Sequence, residues 1–339
     1  MKHGAVVAIA YSLPRNVVTT QDLASEFPDW SVEKIDSRTG IRERHIAGKD
    51  EYASDLAVEA AGRLFDCGAC DPSSIDFVIY CTESPDYFLP TTACIIQDRL
   101  GIPTTAGAYD FNLGCSGYVY GLGQAEGLIA TGQASNVLLL TADTYSKFIH
   151  PQDRSVRTIF GDAGAATLVR ATESDASYIG PFVYGTDGRG AQNLIVPAGG
   201  LRQPRTPETA VTSEDVQGNF RSPDNLFMNG GEIVTFTLTA VPSAVQRLFD
   251  RTGLSLDAID LFVFHQTNKQ TLEHLRKKLT IPEEKFVISM SHCGNTVSST
   301  IPIALKDAMD SGRVFSGALV MLVGFGVGYS WGATLLRAL

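Results

Sequence analysis

The run Ile75-Asp76-Phe77-Val78-Ile79-Tyr80 returns late in the chain as Ile259-Asp260-Leu261-Phe262-Val263-Phe264. Both runs are short, apolar and rich in β-formers, and a polar turn precedes each (DPSS, LSLDA), so each reads as a buried strand. The echo continues along the chain. QDRLGIP (97–103) matches RKKLTIP (276–282), GLIATGQASNVLLLTAD (127–143) matches DAMDSGRVFSGALVMLVG (307–324), and GDAGAATLVRA (161–171) matches GYSWGATLLRAL (328–339). A chain that repeats itself in this order has little freedom, because each half must carry strands alternating with helices. Such alternation implies parallel-rich sheets covered by helices. The expected fold is α/β, with an N-terminal half over 1–172 and a C-terminal half over 173–339, packed as α/β/α/β/α layers. Within the second half, 186–226 is polar and rich in Gly, Pro and Thr, and reads as an inserted loop or lid.

A chain of 339 residues is too long for one ordinary core and suits two fused halves. Hydrophobic residues at 44% and charged residues at 19% supply the apolar material for them. A formal net charge of -10 argues against nucleic acid as the main partner, while leaving room for a local basic patch that takes a phosphorylated ligand. No segment approaches the roughly 18 consecutive apolar residues of a membrane helix. The N-terminal MKHGAVVAIAYSLPRN lacks a cleavage pattern and reads as a first strand, not a signal peptide. Six cysteines are too sparse for a disulfide framework, and the lone CxxC of Cys67 and Cys70 has no second pair to make a metal site. A reducing cytoplasm is the expected compartment.

One strand-to-helix turn reads FNLGCSGYVYGL (111–122), and its counterpart in the second half is MSHCGNTVSSTIPIAL (290–305). In open α/β folds ligands gather where strands end and helices begin, so two such places related by a pseudo-twofold can face one shared site. Cys115 stands at a helix N-terminus, where the macrodipole and free amides favour a thiolate. Gly114 and Gly117 beside it permit a tight turn and close substrate approach. A buried, inert cysteine fits the same local sequence equally well. His265, in LFVFHQTN, follows a buried strand at a site-like strand end, and alone it reads first as a hydrogen-bonded structural histidine. Asn295, in HCGNTVSSTIP, offers a carboxamide that donates to an oxyanion without titrating, or that caps a turn. The neighbours His292 and Cys293 lack further ligands at metal spacing, so no metal is expected there. Taken together, Cys115, His265 and Asn295 describe a thiolate that attacks an acyl carbonyl, with two helpers for the charge on the thioester oxygen. GFGVGYSWG (324–332) adds a backbone amide for an oxyanion hole, and its spacing is not that of a GxGxxG phosphate loop.

TGIRERHIA (39–47), LGCSGY, IFGDAGAA, HQTN, HCGNTVSSTIP and GFGVGYSWGA stand in an order that resembles the thiolase-fold condensing enzymes, most closely β-ketoacyl-acyl-carrier-protein synthase III. The resemblance runs over nearly the whole chain and implies a homodimer that needs no cofactor. It implies that Cys115 takes an acyl group from acyl-CoA, and that a malonyl group on acyl carrier protein then decarboxylates and attacks it, with His265 and Asn295 supporting decarboxylation. The backbone amides of Cys115 and Val327 would form the oxyanion hole. Arg38, Arg154, Trp30, Gly230 and Asn268 fall at or near positions that bind CoA, Leu89 and Tyr145 at positions of the acyl pocket, and Arg276, Lys277 and Lys278 on a basic patch for the carrier protein or on a solvated helix face.

The chain also departs from the family pattern. Leu89 replaces a frequent phenylalanine, Lys34 occupies the place of the adenine-stacking tryptophan with Trp30 four residues before it, Gln270 replaces an arginine, and Val327 replaces a glycine. Glu83, in CTESPDYFLP, resembles the Thr-Glu-Ser of 3-hydroxy-3-methylglutaryl-CoA synthase, where the glutamate is the general base, or it serves in an ordinary ion pair. Three functions remain open on sequence: decarboxylating condensation, another acyl transfer through the same cysteine, and a non-catalytic partner of a heterodimer.

Overall fold

The computed structural model describes residues 1–339. Two mixed sheets carry the chain. The first is built from β1 (Lys2–Ser12), β2 (Phe77–Cys81), β3 (Gly107–Phe111), β4 (Asn136–Asp143) and β5 (Ala163–Glu173), in the spatial order β1-β5-β4-β2-β3. The second is built from β6 (Ile179–Thr186), β7 (Leu261–Phe264), β8 (Leu319–Gly326) and β9 (Ser330–Arg337), in the order β6-β9-β8-β7. The order repeats strand for strand. The counterpart of β3 shrinks to a single parallel bridge between Phe262 and Phe286.

The sheets are not parallel-rich as the alternation implies. β4, β2 and β3 run parallel, as do β7 and β8, while β1/β5, β5/β4, β6/β9 and β9/β8 are antiparallel. In the second half β9 follows β8 after the short 327–329 turn and so must turn back, and in the first the 144–162 connection holds only the short helical turns Tyr145–Phe148 and Arg154–Arg157, too short for a crossover helix.

Seven helices matter to the site: α1 (Val32–Thr39), α2 (Ala53–Asp66), α3 (Thr92–Arg99), α4 (Gly117–Ala130), α5 (Gly230–Thr252), α6 (Lys269–Lys278) and α7 (Thr300–Asp310). Helix α2 buries Ala53, Leu56, Ala57, Ala60, Ala61 and Leu64, a stripe at helical spacing whose small residues let it lie close on the first sheet. With α3 it forms one outer layer, and α5 with α6 covers the far face of the second sheet. Helices α4 and α7 form the middle layer, in one core that draws on both halves (Val119, Leu122, Ile301 and Leu305 with Ile79, Leu139, Val263 and Leu322). Helix α4 is squeezed from two sides. A β-carbon at Gly121 would press on Leu139 of the first sheet, and one at Gly123 would collide with Tyr184 of the second. That is why a helix between two sheets carries residues of poor helix propensity. No helix is long and apolar enough to cross a membrane.

Candidate active site

The parallel strands end at one level. Cys81 pairs with Phe111 and with Thr141, which brings Glu83, Cys115 and Asp143 to one edge of the first sheet. Phe264 pairs with Val323, which brings His265 and the 324–329 turn to the matching edge of the second. The two edges face each other across the middle layer, and Cys115 packs with Tyr145, Phe160, Leu194, Leu226 and Val297 in a small apolar cluster.

Cys115 is buried at 5% exposure, two residues before α4. Its thiol sits on Gly326, where a β-carbon would lie 2.8 Å from both Cβ and Sγ. The backbone amides of Val327 and of Cys115 itself face the sulfur and favour its ionised form. The expectation that this helix start favours a thiolate is overturned. Burial first, then the carboxyls of Glu83 and Asp143, push the thiol well above its ordinary value and outweigh the amides. Gly114 and Gly117 serve packing and not a left-handed turn, since β-carbons there would collide with Glu83 and Cys81. Val327 keeps a negative φ, so replacing glycine costs its backbone nothing.

His265 is buried, and its ring meets Phe325 edge-on at 5.4 Å. Burial pulls its imidazole down to about 3, so it is neutral at working pH. Its Nδ1 lies 2.7 Å from Thr300 Oγ1, whose other contact, the Val297 carbonyl, is at 3.1 Å. The Thr300 hydroxyl donates to the Val297 carbonyl, so a ring proton on Nε2, able to donate into the site, requires that hydroxyl to turn to Nδ1. Asn295 accepts the Val297 N–H through Oδ1 at 3.0 Å, which leaves its NH2 group as a donor without a protein partner. Val297 links the two helpers, and it does so at φ 54°, a left-handed conformation rare for a β-branched residue.

Glu83 accepts a hydrogen bond from the Tyr145 hydroxyl, and its own N–H donates to Asp143 Oδ1 at 2.8 Å. Asp143, fully buried at the end of β4, also accepts from the Ser298 amide and hydroxyl, so one carboxyl ties the two halves together beside the nucleophile. Burial, then Glu83, hold it well above the usual carboxylate range. Asp143, Thr300, Ser298 and Val297 are absent from the sequence-derived site. The one signal for them was an acid that ends the apolar run LLLTAD.

Around the mouth, the Trp30 ring is faced by Lys34 Nζ at 5.0 Å, the Arg38 guanidinium at 5.7 Å and that of Arg154 at 6.0 Å. The offset tryptophan thus joins the two arginines that sequence placed together. Gly230 is exposed at the start of α5. Asn268 caps α6, its Oδ1 accepting the Thr271 N–H at 2.8 Å, with no protein partner for its NH2 group. Arg276 is likewise engaged, by Glu273 at 2.8 Å and the Ile281 carbonyl, so its charge is offset. A polar groove of about 930 Å³ between α1 and α6 is lined instead by Arg38, Lys269, His274, Lys277 and Lys278, with Ser37, Gln270 and Glu273. Leu89 is 82% exposed, whereas Tyr145 is buried in the cluster around Cys115. All six cysteines are free thiols.

Two family profiles match, 3-oxoacyl-(acyl-carrier-protein) synthase III over residues 109–188 and its C-terminal counterpart over 249–338. A β-ketoacyl-(acyl-carrier-protein) synthase III of Caldanaerobacter subterraneus subsp. tengcongensis is 37% identical over 96% of this chain and 95% of its own length. A 2.1 Å crystal structure of a 3-oxoacyl-(acyl-carrier-protein) synthase III is 55% identical with a TM-score of 0.98, covering 99% of each chain. A 3-oxoacyl-(acyl-carrier protein) synthase of Burkholderia xenovorans LB400 is 36% identical with a TM-score of 0.91, covering 100% of this chain and 95% of its own. These relatives favour synthase III over a 3-hydroxy-3-methylglutaryl-CoA synthase type of condensation with Glu83 as its base. The layered fold, the buried cysteine between two amides and these matches agree: the chain belongs to the 3-oxoacyl-(acyl-carrier-protein) synthase III family of thiolase-fold condensing enzymes.

Proposed function

We propose that this enzyme condenses an acyl-CoA primer with malonyl-acyl carrier protein, with loss of CO2, through a thioester on Cys115, and so starts a fatty-acid or related acyl chain. The observation that carries the reading is the buried Cys115 thiol faced by the Val327 and Cys115 amides, with His265 and Asn295 presenting donors from the opposite half. In the first step the sulfur attacks the acyl carbonyl, the two amides hold the oxyanion, and CoA leaves. In the second, with the Thr300 hydroxyl turned to Nδ1, His265 Nε2–H and the Asn295 NH2 donate to the malonyl thioester oxygen. Both donors are neutral, so they stabilise the enolate that forms as CO2 departs without giving up a proton. The enolate carbon then forms the new C–C bond and Cys115 is released. The reading needs no resident cofactor.

The cradle of Trp30, Lys34, Arg38 and Arg154 supports binding of the CoA nucleotide, with cations for phosphates and an indole for adenine. The groove lined by Lys269, Lys277 and Lys278 supports docking of an acidic carrier protein. Tyr145, Phe160, Leu194 and Leu226 form the acyl pocket wall. The exposed Tyr87, Phe88 and Leu89 support a homodimer in which this loop reaches the partner's pocket, and free thiols fit a cytoplasmic enzyme.

The test is intact mass after incubation with a panel of acyl-CoAs, beside Cys115→Ala. An acyl-sized gain that vanishes in the variant is expected. No gain from any acyl-CoA or acyl carrier protein would overturn the reading.

A further inference from the structure

We propose that Glu83 takes the proton from the Cys115 thiol during acyl loading, with Tyr145 holding its carboxylate in place for the exchange. The proposal rests on the acyl-thioester reading above and concerns only its first step, not carbon–carbon bond formation.

A thiol in this site does not ionise unaided, because burial and the neighbouring carboxyls oppose the thiolate more than the two amides favour it. His265 is a poor acceptor, since its imidazole binds a proton only near about 3 and its Nδ1 is engaged by Thr300. Glu83 is placed differently. Its carboxyl reaches over Gly114, the residue before the nucleophile, where a β-carbon would collide with Oε2. The side chain of Val327, whose amide faces the sulfur, flanks the same spot at 2.9 Å from that β-carbon position. Tyr145 donates to Oε2, which leaves Oε1 without a protein partner. The Glu83 backbone is fixed in turn by Asp143.

The titratable groups that face this carboxyl are Asp143 from the end of β4, Tyr145 from the turn after it, Cys81 from the end of β2 and Cys115 ahead of α4. None is basic. Burial keeps Tyr145 and Cys81 protonated, and Asp143, deeper and raised well above its usual range, is occupied with the Glu83 and Ser298 amides. Burial lifts Glu83 to about 7, against the opposing hydrogen bond from Tyr145, so it is the member of the group that changes charge near working pH.

The step balances. As sulfur forms its bond to the acyl carbon, the thiol proton passes to Glu83 Oε1. As the adduct collapses, the bond from that carbon to the CoA sulfur breaks, and the CoA thiolate takes the proton back from the Glu83 carboxylic acid. Glu83 ends ionised, the acyl group ends on Cys115, and CoA leaves as the thiol.

The experiment is single-turnover loading from the best acyl-CoA of the panel, followed by intact mass across about two pH units on either side of neutrality, for wild type, E83Q and Y145F. The wild-type rate is expected to rise with pH with its midpoint near 7. E83Q is expected to load roughly 10²- to 10⁴-fold more slowly at neutral pH, recovering only at alkaline pH where the thiol itself ionises. Y145F is expected to load with its midpoint moved to higher pH, because the charged carboxylate loses a donor. Its midpoint also decides the question if E83Q fails to fold. A bystander charge predicts the opposite sign, since removing it favours the thiolate. E83Q loading as fast as wild type or faster, or a Y145F midpoint that does not move, overturns the proposal. A wild type that takes no acyl group at all overturns the function itself, which a loaded wild type with an unimpaired E83Q does not.

Discussion

A single methyl group at position 326 is expected to separate folding from chemistry. In Gly326→Ala the new β-carbon would lie 2.8 Å from the Cys115 sulfur, which must shift by a fraction of an ångström. The variant should keep its melting temperature within a few degrees yet load acyl groups on the order of 10²-fold more slowly, as single-turnover mass measurements would reveal. Val297 poses the converse case. Its left-handed backbone costs roughly 1–3 kcal/mol, while its fully buried side chain contributes about 1.5–3 kcal/mol. Val297→Gly is therefore expected to lose only about 1 kcal/mol in denaturant unfolding, because relief of strain offsets lost packing. It should slow malonyl decarboxylation more than acyl loading, since the Val297 N–H holds Asn295. The identities of Cys115, His265 and Asn295 were legible because each follows an apolar run or opens a glycine-rich turn. The direction of the thiol's shift was not, because it comes first from burial between the two halves and then from carboxyls at positions 83 and 143, which only the fold brings together.

Among the elements, α6 shows how a sequence patch divides once it folds. Arg276, Lys277 and Lys278 are consecutive, but helical geometry turns Arg276 towards Glu273 and leaves the two lysines on the groove shared with α1. The double change Lys277→Glu and Lys278→Glu is expected to raise the KM for malonyl-carrier protein about tenfold at low salt with little change in kcat, and high salt should shrink the difference. An unchanged KM would return these lysines to the solvated surface. At the other end of α6 Asn268 divides within one side chain, its Oδ1 capping the helix and its NH2 group left without a protein partner. The strand and helix order could be read from the internal repeat. The antiparallel final strands could not, because the repeat records order and not direction.

For the whole molecule, carboxyls held above their usual range govern how stability follows pH. Glu83 at about 7 and Asp162 at about 6 both stand above their usual 4.5 and 3.8. The folded state therefore holds protons on these carboxyls that the unfolded chain has already released, whereas His265, held down at about 3, takes a proton only on unfolding; the carboxyls outnumber it, and stability falls as pH rises from about 5 to about 7. The thermal midpoint should drop by several degrees over that window, and Glu83→Gln should flatten part of the slope. A midpoint that rises instead would contradict the burial of these groups.

The middle layer and the strand order also decide what a protease can and cannot do. The stretch around Leu201 and Val211 lies open, and a nick there divides Cys115 from His265 and Asn295. The fragments are nevertheless interlocked. Strand β6 stays with the first piece but is laced to β9 of the second, from Thr186 opposite Ser330 to Ile179 opposite Leu336. Helices α4 and α7, one in each piece, share a single core. The nicked protein is thus expected to run as two bands on a denaturing gel and as one particle under native conditions, still taking an acyl group, a peptide backbone in two parts that the fold alone keeps as one enzyme.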